Sequence, residues 1–73
     1  MLQLGRPEDA LGHLTEAVRL DPSLADAHFN LGAALSLLGR FAEGAAAFRE
    51  TLRLRPNDPR AQAALQAALA RIK

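Results

Sequence analysis

Shifted by 34 residues, this chain matches itself. Leu4-Gly5-Arg6 falls on Leu38-Gly39-Arg40, and Glu16, Arg19, Leu20 and Pro22 fall on Glu50, Arg53, Leu54 and Pro56. Ala27, Leu31, Ala33, Ala34 and Leu35 fall on Ala61, Leu65, Ala67, Ala68 and Leu69. These are twelve identities over 39 comparable positions, where roughly five would arise by chance in so Ala- and Leu-rich a chain. The Ala and Leu matches carry little alone; the Gly-Arg and Pro matches at the same offset carry the period. A period of this length means stacked units, none of which buries its apolar face without a neighbour.

The units are helical. Sixteen Ala and fourteen Leu among 73 residues favour helix, and the β-branched and aromatic residues that favour strands are few. Leu31, Leu35 and Leu38 recur at helical spacing, and Gly39 supplies the positive-φ stop. Phe41, Ala45, Phe48 and Leu52 form a second apolar stripe, closed by Pro56. So short a gap between the stripes makes the two helices antiparallel. Upstream, Pro7 suits a first helical position, with Glu8 and Asp9 at the positive end of the dipole and Leu11, Leu14 and Val18 on the apolar stripe. Downstream, Asp58-Pro59 reads as an N-cap and first-turn proline before Leu65, Leu69 and Ile72. The spacing predicts helices over roughly 7–20, 24–38, 41–54 and 59–72, with a stub over 1–4.

Composition excludes several function classes. There is no Cys for a disulfide or thiolate ligand, and His13 and His28, fifteen residues apart, cannot share a helical face at metal-ligand spacing. No metal or cofactor is expected. A core this small supplies about 3–5 kcal/mol, so further repeats or self-association through the helix at 7–20 are expected to help. A net charge of +1 gives no reason to expect nucleic acid or an anionic membrane. No apolar run is long enough to span a bilayer, and the first residues lack the pattern of a signal peptide, so a cytoplasmic protein is expected.

His28, Leu31-Gly32, Leu35, Gly44, Phe48, Thr51 and Pro56 together resemble a tetratricopeptide repeat. His28 and Leu35 stand where the family carries Trp and Tyr. The half repeat before matches with Ala10, Leu14, Ala17 and Pro22; the half after keeps Leu65 and Leu69. The resemblance implies an all-α antiparallel helix-pair solenoid. It would divide into the second half of a truncated repeat (1–22), a complete repeat (25–58) and a capping helix (59–73). Gly32 and Gly44 would let facing backbones approach, while Gly12 has no such account.

No enzyme is expected. Ser23, Ser36, Thr15 and Thr51 lack a neighbouring base, Ser23 reads as a turn or cap residue, and no glycine-rich phosphate loop exists. Arg49, Arg53, Arg55 and Arg60 could gather into a basic patch for nucleic acid or an acidic ligand, a distant third reading, although no aromatic interleaves them for base stacking and a solvated face explains them. His28 reads as a half-buried packing residue. What the resemblance implies is a protein or peptide partner along the concave face made by first helices: Asp26, Phe29, Asn30, Ala33 and Leu37, with Arg60, Ala63 and Ala67 from the last helix. Asn30 could pair with a peptide unit, because an amide both donates and accepts. Family members that clamp a terminal carboxylate use Lys and Asn where Phe29 and Ala33 stand here, so that clamp is not expected. The alternative is a structural or self-assembling part of a longer array.

Overall fold

The computed structural model of the chain describes residues 7–72. Four helices follow one another: α1 (Pro7–Leu20), α2 (Ala25–Leu37), α3 (Phe41–Leu54) and α4 (Pro59–Arg71). The stub expected over 1–4 lies outside the described residues. Each helix packs on the next, and α2 and α4 both lie against α3 while barely touching each other. No strand occurs among the described residues, and no described helix is long and apolar enough to cross a membrane.

Local chemistry sets each boundary. Asp21 Oδ1 accepts from the backbone N and the Oγ of Ser23 (3.2 and 2.7 Å), which closes the turn after α1. Ser23 is thus a turn residue, and Leu24 occupies the N-cap of α2 without a side-chain bond. At the other end of α2, Gly39 takes φ +80°, with Gly39 N–H donating to Ser36 O (3.0 Å) and Arg40 N–H to Leu35 O (2.9 Å). Those paired bonds need a left-handed residue, which glycine supplies without a Cβ penalty. Asp58 caps α4, accepting from Arg60 N (3.0 Å) and Ala61 N (3.4 Å).

Two further bonds repeat with the sequence. His28 Nε2 donates to Pro22 O (2.9 Å), and 34 residues later Gln62 Nε2 donates to Pro56 O (3.1 Å). The half-buried His28 is therefore an anchor to the preceding turn, beyond the packing role its sequence position implied.

The core centres on Ala45, Phe48 and Ala68, with Phe29, Ala64 and Leu65 packed around it. Leu35 is buried as expected. Phe48 is 3% exposed, and its truncation to Ala would cost about 3–5 kcal/mol. Thr51, fully buried, donates its hydroxyl to Ala47 O (3.0 Å), so its burial leaves no orphaned donor.

The α2–α3 seam is made of backbone. A Cβ on Gly32 would lie 2.6 Å from Phe48 Cε1 and 3.0 Å from Gly44 O; one on Gly44 would lie 2.6 Å from Ser36 Oγ and 3.0 Å from Gly32 O. The two glycines let the helices approach until carbonyls and ring edges touch. Nothing lies within 4 Å of the corresponding point on Gly12.

The inward stripe of α4 differs from expectation. Leu69 and Ile72 are each 40% exposed, and the buried residues of α4 are Ala61 and Ala68. Close contact with α3 selects small side chains there. Leu69 instead holds the place of Leu35 one period on, which in α2 is covered by α3 and in α4 by nothing described.

Candidate functional site

Because α3 runs antiparallel to both α2 and α4, it floors a groove with two chemically different ends. At one end meet the start of α2, the end of α3 and the start of α4. There Asp26 Oδ1 accepts from Arg55 Nη1 (3.1 Å) and Arg60 Nη2 (3.2 Å). Arg60 Nη2 also donates to Asp58 Oδ2 (3.1 Å). The Arg60 guanidinium lies 4.5 Å from the centre of the Phe29 ring, and that ring packs on Phe48 with centroids 5.6 Å apart. An open cleft of about 630 Å³ is lined by Asp26 and by residues 55–60. Two arginines and two aspartates leave this end balanced in charge. Arg60, followed by the backbone donors of Ala61 and Arg60, holds the Asp58 carboxyl below its ordinary range against the opposing effect of burial.

At the other end meet the last turn of α2, the first of α3 and the last of α4. A smaller recess of about 200 Å³ is lined by Ser36, Phe41, Phe48, Ala64, Ala67, Ala68 and Arg71. Arg71 lies over the Phe41 ring, 5.0 Å from its centre. The hydroxyl of Ser36 is buried without a hydrogen-bond partner among the described residues, and it faces the Gly44 backbone in the α2–α3 seam.

Six of the eight residues expected on the concave face separate into two groups. Asp26, Phe29 and Arg60 come together as one contact chain. Asn30, Ala33 and Leu37 stay on α2 and line neither cleft. Asn30 is exposed and its side chain makes no hydrogen bond among the described residues; Ala33 is half-buried; Leu37 is 76% exposed. Phe29 has an internal use, since it packs against Phe48 beneath Arg60, while staying half-buried. Ala63 is exposed, and Ala67 lines the smaller recess.

The basic patch disperses. Arg53 pairs with Glu50 on its own helix, while Arg55 and Arg60 turn to Asp26. Further ion pairs join Arg19 to Glu16 and Arg40 to Glu43. Among the described residues, no group of three or more His, Asp or Glu side chains is placed to hold a metal.

Sequence reasoning missed Phe41 and Arg71 as site residues, and it put Arg55 in a basic patch, not on Asp26. The Asp26–Arg60 pair did leave a signal, because 26 and 60 are one period apart and carry opposite charges. Arg71 and Phe41 are 30 residues apart with no shared offset, and only the packed helices bring them together.

No curated protein matches the chain. The family model described as Tetratricopeptide repeat matches residues 2–59. Its members generally act as scaffolds for contact between proteins. That match, the repeated proline anchors and the glycine-to-glycine seam together establish that the chain belongs to the tetratricopeptide repeat family.

Proposed function

We propose that the chain holds a peptide or helix of a protein partner along its concave face, in the groove walled by α2 and α4 and floored by α3. The observation that carries this reading is the groove itself: α2 and α4 lean on α3 and meet where Arg60 touches Asp26 and Phe29, leaving toward the other end a recess floored by Phe41 and Phe48 and walled by alanines. Asn30 and Leu37 line neither cleft and are assigned to the same face by their repeat positions, the first with an amide side chain that pairs with nothing described, the second with an apolar side chain left in water. On this reading residues 25–58 form the complete repeat, 1–22 the second half of another, and 59–73 a capping helix. A photocrosslinking amino acid at position 37 should capture a partner that the same group at position 49, on the back of α3, does not. Asn30→Ala and Leu37→Asp should each weaken that capture with helicity intact. Equal capture at 37 and 49 would place the contact elsewhere.

A second reading, self-assembly, rests on α1. Leu11, Leu14 and Val18 remain half-buried, whereas Ala45 and Phe48, the counterparts of Leu11 and Leu14, are buried between α2 and α4. Light scattering would then report a species larger than one chain, and Leu11→Lys would return it to a monomer.

A further inference from the structure

Two arginines of this chain lie on phenylalanine rings, one at each end of the groove, and they differ in one respect. Arg60, on Phe29, is spent on Asp26 and Asp58. Arg71, on Phe41, contacts no carboxylate among the described residues. An arginine in a last turn ordinarily offsets the negative helix end, but that role does not require stacking on a ring from another helix. The ring steadies the guanidinium at the mouth of the recess, where its planar fork of donors matches a carboxylate. The recess itself is apolar. Apart from Arg71 its one polar residue is Ser36, whose Oγ faces Gly44. At about 200 Å³ it has room for a single apolar side chain.

Resting on the peptide-binding reading above, we propose that this recess takes one apolar side chain of an extended peptide and that Arg71 pairs with a carboxylate on the adjoining residue. The partner is an acidic–apolar segment, and its direction follows from the charge pattern. An acid placed at the far end would meet arginines already paired with Asp26 and Asp58, while one placed here meets an arginine that no acid contacts among the described residues. Such complementarity fixes register more than it adds affinity.

The test is a titration of the isotope-labelled full chain, followed by amide and arginine side-chain NMR, with two blocked probes: N-acetyl-leucyl-glutamate amide and N-acetyl-leucyl-glutamine amide. Both should shift Ala64, Ala67 and Ala68, with the glutamate probe about fivefold tighter, the reach of a partly exposed ion pair. Arg71→Gln should remove that preference while the leucine probe still binds. Ala67→Leu fills the recess with a good helix former and should abolish both sets of shifts with helicity unchanged. Equal affinity for the two probes, or a preference that survives Arg71→Gln, overturns the acidic pairing and leaves the groove reading standing. Shifts absent from the recess overturn both.

Discussion

His28 and Gln62, one period apart, make the same bond: each ring or amide nitrogen reaches back six residues to the carbonyl of a proline, Pro22 or Pro56. Two unlike side chains thus perform one task, fastening the first turn of a helix to the turn before it. A His28→Gln substitution should leave the melting temperature where it is, because the amide at position 62 already makes this bond. His28→Leu, similar in bulk without a donor, should lose about 1 kcal/mol. Thermal melts followed by circular dichroism compare the two, and equal losses would show that ring packing, not the bond, is what position 28 supplies.

Stability on the acid side should track Asp58. Its folded carboxyl is held below the ordinary range, chiefly by the Arg60 guanidinium and then by the backbone donors of Ala61 and Arg60. A depressed folded value gives a contribution that is complete above the unfolded value, about pH 4, and is lost as pH falls through the lower folded one. Glu43 and Glu50, held down mainly by their bonds to Arg40 and Arg53, act in the same direction. Asp58→Asn keeps an oxygen for the cap but removes the titration. Its melting temperature should therefore fall less steeply between pH 5 and about 3 than the parent's. An unchanged slope would assign the acid sensitivity to the glutamates.

The same substitution should have opposite signs at two glycines. Gly12 has nothing within 4 Å of a new Cβ, and its helix gains about 0.5–1 kcal/mol when Ala replaces Gly. Gly32 would drive a methyl into Phe48 and the Gly44 carbonyl, at a cost of about 1–3 kcal/mol. Chemical denaturation of Gly12→Ala and Gly32→Ala reads both. If Gly32→Ala also stabilised the chain, the two helices would have to sit farther apart than described.

Ser36 holds a buried hydroxyl that bonds to nothing among the described residues. Removing an orphaned buried group recovers its lost hydration, so Ser36→Ala should stabilise the chain by about 1 kcal/mol. A loss instead would mean that the hydroxyl has a partner in solution, water included.

Much of the fold was legible in the residues. Gly39, Pro56, Asp58 and Pro59 mark helix ends by local chemistry, and they place the boundaries within a residue of where they fall. Packing across helices was legible only where the period reported it. Gly32 and Gly44 stood out because glycine inside a helix needs a reason. Phe29 misled, since an aromatic outside the main leucine stripe looks unused until Phe48 and Arg60 close around it. Leu69 and Ile72 misled for the opposite reason: apolar periodicity gives a face, and only a neighbouring helix decides whether that face is covered.

The glycine seam bears on how long such a ladder can grow. Elongation at the spacing of α2 and α3 requires each docking helix to expose bare backbone at the place of Gly32. In α4 that place is held by Gln66, whose side chain stands in solvent. A further helix would have to climb over it or stand off. Gln66→Gly is therefore the edit that would give α4 the bare backbone that α2 presents to α3 at Gly32.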